Sequence, residues 1–253
     1  MNLHTWRGIK VFLLARHLIK GYIKVRWGWR DLTPLEAQEE VMAWAKGALK
    51  IFGLEVKLHG EIAQTGPLLL VSNHVSWLDI LLYLSLSPVR FVSKSEVQSW
   101  PIVGRFALAC RTLFIKRASK RDAKKVVEMM SEALQSGDMV AVFPEGTTSV
   151  GDAVLPFHAN LFEAALASHA SIQVASLLYV SSPTQQRTTT PSFTGQDTLV
   201  GSIWRILGLK RFEVWVSVGA VEETMGLERR ALAQQSGARV SERHAQLKAL
   251  TRP

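Results

Sequence analysis

Short apolar segments alternate with helix-forming segments along most of this chain, and this alternation constrains the fold more than any other feature. Strands are expected at 54–58, 67–72, 89–93, 139–143, 172–180 and 212–218. Helices are expected between them at 126–134 and 161–168. Since strands that alternate with helices form a sheet whose faces the helices cover, the sequence predicts an α/β fold with a mixed, largely parallel sheet.

The first 30 residues carry an amphipathic pattern. On a helical wheel the basic side chains gather on one side and the apolar ones on the other, which is typical of a helix lying in the plane of a membrane surface. The basic set is Lys10, Arg16, His17, Lys20 and Lys24, and the apolar set is Val11, Phe12, Ala15, Leu18, Ile19 and Tyr22. An amphipathic helix packed on the protein's own core would show the same pattern. The interspersed cations argue against a membrane-spanning helix, and no signal-peptide core is evident.

A second helix is expected from Pro34 to Phe52. Thr33 can cap it, Glu36 stands three residues later as a capping box requires, and Gly53 can end it. Two N-terminal helices are therefore expected to precede the α/β body.

The chain has 253 residues, which is enough for one large domain with an appendage. We place an amphipathic membrane-binding helical arm at 1–52 and the α/β domain at 53–253. Within that domain, the Ser-, Thr- and Gln-rich segment 181–200 is expected to form a long surface insertion. The polar segment from residue 222 onward is expected to form a peripheral helical tail.

The chain carries 30 Lys and Arg against 21 Asp and Glu, and the resulting net charge of +9 favours an anionic partner. Phosphate ligands, anionic lipid and nucleic acid all meet that requirement. No nucleic-acid recognition motif is found, and the basic residues concentrate in the arm and around Arg117, so we expect no nucleic-acid partner. The single cysteine, Cys110, excludes an internal disulfide and a zinc cluster built from cysteines.

Residues 72–80, SNHVSWLDI, place a histidine five positions before an aspartate directly after an apolar strand. Neither a helix nor a strand would bring His74 and Asp79 together at this spacing, so a turn must lie between them. In such a turn the Asp79 carboxylate can bind one imidazole nitrogen, which makes His74 a candidate general base for a hydroxyl group. The site would lie at the carboxyl end of a strand, where open α/β sheets bind their ligands. A surface histidine near a helix-capping aspartate would give the same spacing.

A second strand ends within residues 142–149, VFPEGTTS. The turn through Gly146 would present Glu145 and the Thr147 hydroxyl at the strand end, and its backbone N–H groups can bind an anion. The alternative is a polar turn with a solvated glutamate, and the presence of two such strand-end motifs in one chain makes it less attractive.

A third segment, residues 91–117, supplies cations at two further strand ends. Arg117 suits a phosphate group because its planar guanidinium can donate two hydrogen bonds to one anion, whereas Lys94 would contribute a point charge. Most of the remaining basic side chains nearby are expected to form a solvated face.

These three motifs occur in the order and spacing of the 1-acylglycerol-3-phosphate O-acyltransferase (PlsC-type lysophospholipid acyltransferase) family, which the chain resembles over roughly residues 50 to 220. The matching stretches are Asn73-His74-Val75-Ser76-Trp77-Leu78-Asp79, the 94–117 block ending in Leu113-Phe114-Ile115-Lys116-Arg117, and Phe143-Pro144-Glu145-Gly146-Thr147. The resemblance implies transfer of a fatty acyl group from acyl-CoA or acyl carrier protein to a hydroxyl group of a lysophospholipid. It also implies that the N-terminal helices bind the membrane surface.

The resemblance further implies a role for each candidate residue. His74 resembles the catalytic base of the family and Asp79 its partner, while Arg117 matches the arginine that engages the acceptor phosphate. The substrate-binding candidates are Lys94, Arg117, Glu145, Gly146 and Thr147. We expect no metal and no cofactor, since the acyl thioester is a co-substrate and the acceptor alcohol is itself the nucleophile. A covalent route through Ser76 is disfavoured because no Gly-x-Ser-x-Gly motif surrounds it.

Two positions depart from the family pattern. Thr148 stands where the family often has arginine, and the strand at 172–176 lacks the usual proline. Both departures concern the acceptor, so synthesis of phosphatidate from 1-acyl-sn-glycerol-3-phosphate is the main hypothesis and a lyso-ornithine lipid is the second candidate acceptor. Acyl thioester hydrolysis and non-catalytic lipid binding are two further hypotheses. We expect a peripheral or monotopic protein on the cytoplasmic face of a membrane, which by resemblance would be a bacterial inner membrane.

Overall fold

A computed structural model describes residues 3–29, 32–115 and 120–252. Within these ranges the strands are β1 (Leu54–His59), β2 (Leu68–Ser72), β3 (Val89–Lys94), β4 (Leu113–Ile115), β5 (Met139–Val142), β6 (Ser171–Val180) and β7 (Phe212–Glu222). The α-helices are α1 (Leu3–Ile23), α2 (Pro34–Phe52), α3 (Leu78–Leu86), α4 (Val103–Ala109), α5 (Lys120–Gln135), α6 (Glu163–Ser168), α7 (Leu199–Leu207) and α8 (Arg229–Leu250). Short helical turns occur at Lys24–Gly28, Ser95–Ser99 and Ala159–Phe162.

The sheet is mixed and largely parallel, as the sequence predicts. Its strand order is β1-β7-β6-β2-β5-β3-β4. Strand β2 pairs in parallel with both β5 and β6, and the parallel arrangement continues from β5 through β3 to β4. The β6–β7 pair is antiparallel, and β1 is parallel to β7.

Two apolar cores lie on opposite faces of the sheet. Leu68 and Leu70 of β2 belong to the core that α2 and α3 cover, whereas Leu69 and Val71 belong to the core that α5, α6 and α8 cover. Because successive side chains of a strand point to opposite faces, a strand buried on both faces must be apolar at every position. This explains the uninterrupted apolar run before the histidine motif.

The parallel strands at the centre of the sheet end at one edge. Val71 of β2 is level with Val142 of β5 and Val174 of β6, and Phe91 of β3 pairs with Ala141. The segments that follow β2, β5 and β3 are therefore neighbours at this edge, which we call the carboxyl edge. All three sequence motifs follow strands that end there.

Helix α2 begins and ends where the sequence predicts. The Thr33 hydroxyl accepts a hydrogen bond from the Glu36 N–H at 3.3 Å, and the Thr33 N–H donates to the Glu36 carboxylate at 2.7 Å. This completes the capping box. At the other end Gly53 adopts φ 81°, a left-handed conformation that favours glycine.

Helix α1 packs on the body with part of its basic side. Lys10 is buried, and its ammonium group donates hydrogen bonds to Phe52 O at 2.6 Å and to Leu209 O at 2.7 Å. Burial lowers the pKa of Lys10 to about 8. Lys10 therefore links α1 to the body instead of facing lipid headgroups, which corrects the assignment from the helical wheel. The exposed members of the apolar set are Val11, Phe12, Ala15 and Ile19.

Helix α8 is an integral layer of the domain, which corrects the prediction of a peripheral tail. It packs across β6 and β7, and it buries Val240 and Leu247 among other side chains. His244 of the same helix is also buried, and its Nε2 lies 3.0 Å from Gly151 O. Since the carbonyl oxygen accepts, Nε2 donates, and α8 thereby holds the loop that follows the second motif.

The segment 181–200 lies against the carboxyl edge, so the prediction of a surface insertion is only partly correct. Ser192 is buried, and the Phe193 N–H donates to Val75 O at 3.0 Å. The Thr148 hydroxyl donates a short hydrogen bond to Phe193 O. The segment therefore contacts both motif loops before it continues into α7.

Candidate active site

The His74 and Asp79 side chains meet at the carboxyl edge. Strand β2 ends at Ser72 and α3 begins at Leu78, so the residues between them form the turn that the spacing requires. His74 Nδ1 lies 2.8 Å from Asp79 Oδ2. Because a carboxylate oxygen accepts, Nδ1 carries the hydrogen, and Nε2 is the nitrogen that can take a proton.

Asp79 is fully buried, and both of its carboxylate oxygens are bonded. Oδ2 also accepts hydrogen bonds from the N–H groups of Val75 at 2.7 Å and Ser76 at 2.9 Å, and Oδ1 accepts one from the Tyr179 hydroxyl at 2.7 Å. Burial and the neighbouring Asp79 charge raise the pKa of Tyr179 well above its ordinary value, so the hydroxyl stays protonated. The three donors other than His74 therefore fix the carboxylate in the position from which it orients the imidazole.

The imidazole ring of His74 is also held by an aromatic ring that stacks on its face. His74 and Phe143 stack in parallel, with ring centroids 3.9 Å apart and an interplanar angle of 2°. Phe143 in turn stacks on Phe91 at a centroid distance of 5.5 Å. The His74 side chain is 17% exposed, which leaves the ring accessible from solvent. A ring that is fixed in orientation yet accessible is suited to proton transfer.

Asn73 fastens the turn to strand β6. Its side-chain amide donates to Leu177 O at 3.1 Å, and its side-chain oxygen accepts a hydrogen bond from the Leu177 N–H at 2.8 Å. The neighbouring hydroxyl of Ser76 is buried, and it accepts a hydrogen bond from the Leu78 N–H at 3.3 Å. Ser76 is therefore part of the turn, in a position that does not suit an exposed nucleophile.

Glu145 is buried, and its carboxylate is directed at backbone groups of the protein. Oε2 accepts a hydrogen bond from the His74 N–H at 3.4 Å, and Oε1 accepts one from the Leu155 N–H at 3.2 Å. Burial raises the pKa of Glu145 to about 7. The structure thus corrects the expectation of a glutamate presented at the strand end, because Glu145 braces its loop against the His74 turn.

The stability of the protein should fall as the pH rises from about 4.5 to about 7 because of Glu145. Over that range the unfolded state has lost the proton of this side chain while the folded state keeps it, so deprotonation favours unfolding. The Glu145→Gln variant has no proton to lose and should show a flatter profile. Urea-unfolding midpoints measured across this pH range for both proteins test the expectation.

Glu61→Gln is the matched control, because Glu61 is exposed and should leave the pH profile unchanged. If wild-type protein and the Glu145→Gln variant responded equally to pH, the raised pKa of Glu145 would be contradicted.

The loop after Glu145 is fixed relative to His74. Gly146 and Thr147 are exposed at the carboxyl edge, and Gly146 adopts φ 70°, which favours glycine there. The Ser149 N–H donates to His74 O at 2.9 Å. The exposed part of this loop is therefore tied through the backbone to the turn that carries the imidazole.

The cationic candidates belong to the next two strands along the edge. Lys94 is the last residue of β3 and is exposed, and β3 lies directly beside β5. Arg117 lies outside the described residues, two positions beyond the end of β4 at Ile115. The structure therefore joins His74, Asp79 and Glu145 directly, and it places Lys94 one strand further along.

Tyr179 and Phe143 contribute to the site although the sequence motifs assign no role to either. Tyr179 is 100 residues away from Asp79 along the chain, so only the pairing of β6 with β2 brings them together. The role of Phe143 could have been predicted from the sequence. An aromatic residue at the end of a strand beside the His74 strand can stack on the imidazole.

The fold of the chain and its match to a protein family define an enzyme of the acyltransferase class. A family model described as Acyltransferase matches residues 55–179, which include the three joined side chains. The 1-acyl-sn-glycerol-3-phosphate acyltransferase of Neisseria gonorrhoeae is 36% identical over 201 residues, which cover 78% of this chain and 77% of that protein. The chain belongs to the PlsC-type acyltransferase family.

Two further proteins are similar to the chain. The lyso-ornithine lipid O-acyltransferase of Pseudomonas aeruginosa is 35% identical over 210 residues, which cover 81% of this chain and 78% of that protein. The crystal structure of the 1-acyl-sn-glycerophosphate acyltransferase PlsC from Thermotoga maritima matches with a TM-score of 0.66 at 20% identity. That match covers 96% of this chain and 98% of the matched one, and it confirms the predicted fold class.

Proposed function

We propose that this protein transfers a fatty acyl group from acyl-CoA or acyl carrier protein to the free hydroxyl group of 1-acyl-sn-glycerol-3-phosphate, which yields phosphatidate. The observation that carries the proposal is the bonded His74–Asp79 pair at the carboxyl edge, beside the loop that Glu145 braces. The name of the Neisseria relative supports the choice of acceptor.

In the proposed reaction, the acceptor hydroxyl attacks the carbonyl carbon of the thioester while His74 Nε2 takes its proton. Asp79 stabilises the resulting imidazolium through Nδ1. The tetrahedral intermediate then collapses, the C–S bond breaks, and Nε2–H returns the proton to the departing thiolate. An ester and a free thiol leave, and His74 is neutral again. The sequence of steps uses the acceptor alcohol as nucleophile and forms no acyl-enzyme.

Residues along the carboxyl edge would bind the acceptor phosphate. Lys94 ends β3, the strand directly beside β5, and Arg117 follows β4 in the sequence, two positions beyond its last residue. The exposed Gly146 and Thr147 follow β5, which lies between the Lys94 strand β3 and the strand β2 that precedes His74. A phosphate held there would leave the free hydroxyl group of the acceptor directed toward His74.

Arg117→Ala should raise the KM for 1-acyl-sn-glycerol-3-phosphate by about 10- to 100-fold and change kcat less, because a hydrogen-bonded cation on a phosphate contributes on the order of 1.5–3 kcal/mol. Steady-state kinetics at saturating acyl-CoA measure both constants. Lys125→Ala removes an exposed cation of α5, eight residues later in the sequence, and should leave both constants unchanged. An unaltered KM in the Arg117 variant would indicate that the acceptor is not a phosphate.

A lyso-ornithine lipid is the second candidate acceptor. Thr148 occupies the position where the family often has arginine, and its hydroxyl is used by Phe193 O, so this position supplies no cation to a phosphate. The Pseudomonas relative has nearly the same identity to the chain as the Neisseria protein, and its name specifies this acceptor.

Incubation of the purified protein with an acyl thioester and each lysolipid in turn tests the proposal. The masses of the lipid products identify the acceptor, and thiol release with and without acceptor distinguishes transfer from hydrolysis. Phosphatidate formation with acceptor-dependent thiol release is the expected result. Thiol release that neither lysolipid alters would indicate a thioesterase, and the absence of thiol release would favour a non-catalytic lipid-binding protein.

We propose that the protein is peripheral or monotopic on the cytoplasmic face of a membrane, and the exposed apolar side of α1 supports the contact with a membrane surface. Phe12, Ile19 and Trp27 are exposed in the N-terminal segment, and Lys20 lies beside them. An in-plane helix buries such side chains in the lipid interface and leaves the neighbouring cations to the headgroups. No helix in residues 3–29, 32–115 or 120–252 combines the length and the apolar character of a membrane span.

A further inference from the structure

Helix α7 exposes two large apolar side chains next to the candidate active site. Val200 is 78% exposed and Trp204 is 52% exposed. Because residues four positions apart lie on the same side of a helix, the two form one apolar face. The opposite side of α7 is buried through Ser202 and Ile206, and the buried Leu207 ends the exposed side at the last residue of the helix. Helix α7 therefore has a second apolar face, which is directed away from the core.

Within residues 199–207, all of which the structure describes, no cation or anion interrupts the exposed face of α7. Arg205 is the one charged residue of this fully described helix, and it is bonded to Asp197 through Nη1 at 2.8 Å. The same guanidinium also donates to Thr190 O at 2.9 Å and Ser192 O at 2.7 Å. Arg205 thus anchors α7 to the segment before it, and the outward surface consists of Val200 and Trp204.

The buried side of α7 is directly linked to the histidine turn. The Trp77 indole N–H, three residues beyond His74, donates to the Ser202 hydroxyl at 3.1 Å. Helix α7 then leads into β7, whose first residue Phe212 lies at the carboxyl edge, since β7 runs antiparallel to β6. A surface that contacts α7 would therefore lie beside the opening to His74.

Helix α7 is in contact with α1. The Arg7 guanidinium lies 5.1 Å from the Trp204 ring, a distance typical of a cation–π contact. Lys10 binds Leu209 O, just beyond α7. Lys210 and Arg211 follow α7 in the chain and are exposed, and the Arg211 guanidinium lies 3.9 Å from the Glu55 carboxylate. Tryptophan beside cations is the composition that favours the interface of an anionic bilayer.

We propose that the exposed face of α7 is a second membrane contact, which acts with α1 to place the carboxyl edge against an anionic lipid surface. This inference rests on the proposed function. One in-plane helix leaves the protein free to rotate about the helix axis, whereas two separate contacts fix its orientation. With α7 inserted, an acceptor embedded in the bilayer reaches His74 without leaving the lipid.

The test is the vesicle binding of a Val200→Glu, Trp204→Glu double variant of the full chain. Partition onto vesicles of phosphatidylglycerol and phosphatidylcholine should weaken by about tenfold or more, because two apolar side chains no longer enter the interface. Acyl transfer to a vesicle-embedded lysolipid should fall in parallel. Transfer to a short-chain acceptor dissolved below its micelle concentration should stay at the wild-type rate.

Met225→Glu is the matched control. Met225 is 76% exposed, nearly the same as Val200, but it follows β7 at the opposite edge of the sheet, where Thr224 bonds to Ala170 O. The control should bind vesicles as wild-type protein does. Undiminished vesicle binding of the double variant, or an equal loss in Met225→Glu, would overturn the proposal, and so would a fall in transfer to the soluble acceptor. A wild-type protein that transfers nothing to any acceptor contradicts the proposed function instead.

Discussion

Replacing His74 by alanine should lower kcat for acyl transfer by about 10²- to 10⁴-fold, which is the range that a positioned general base contributes. The variant loses the nitrogen that takes the acceptor proton, while the Asp79 carboxylate keeps its bonds to Val75 N–H, Ser76 N–H and the Tyr179 hydroxyl. The fold and the vesicle binding should therefore remain close to wild type. Initial rates of thiol release and product formation measure the loss.

His59→Ala is the control for this experiment. His59 is exposed at the end of β1, which is antiparallel to β2, so it lies at the opposite edge of the sheet from His74. Its replacement should leave turnover unchanged. Near-wild-type turnover in a purified, folded His74→Ala protein would falsify the proposed mechanism.

Asp79→Asn should lower kcat by a similar factor for a different reason. An amide has one acceptor oxygen in place of two, and its NH2 group would face at least one of the four donors that the carboxylate now satisfies. The His74 tautomer is then no longer fixed, and the imidazolium loses its counter-charge. A buried donor left without an acceptor also costs about 1–3 kcal/mol of stability. Steady-state kinetics and urea unfolding record the two effects separately.

The Tyr179→Phe variant distinguishes two contributions of Asp79, its charge on His74 and its packing among the neighbouring side chains. The substitution removes one hydrogen bond to Oδ1 and leaves the bond from His74 to Oδ2 in place. Stability should fall by about 1 kcal/mol, and kcat should fall less than tenfold. If Tyr179→Phe and Asp79→Asn lost the same activity, the contribution of Asp79 would lie in packing and not in its charge on His74.

Features that depend on nearby residues could be predicted from the sequence. The Thr33–Glu36 capping box requires only residues three apart, and the His74–Asp79 contact requires only a turn between a strand and a helix. The alternation of strands and helices likewise defines the sheet class without knowledge of the strand order. The domain division after residue 52, the roles of the site residues and the membrane-binding role of the arm remain predictions.

Features that depend on distant backbone groups could not be predicted. The burial of Lys10 depends on the carbonyl groups of Phe52 and Leu209, which are 42 and 199 residues away and which any residue type could supply. Glu145 is similar, because its partners are the N–H groups of His74 and Leu155. A backbone partner leaves no mark in composition or spacing, so both side chains resemble solvated charges in the sequence.

The packing of α8 was missed for another reason. Its buried residues form a narrow strip among polar and charged ones, so the segment has the average composition of an exposed helix. One of the buried positions is His244, whose residue type does not suggest a core position. The buried strip can be recognised only when the sheet face against which α8 packs is known.

The bonds from strand β6 to the histidine turn have a consequence for protein synthesis. Asn73 receives both of its partners from Leu177, and Asp79 receives a hydroxyl from Tyr179. A growing polypeptide gains these anchors only after β6 has left the ribosome and has joined the sheet. Until then the imidazole and the carboxylate lack their support, so a nascent chain that already carries both residues should not yet modify lipids.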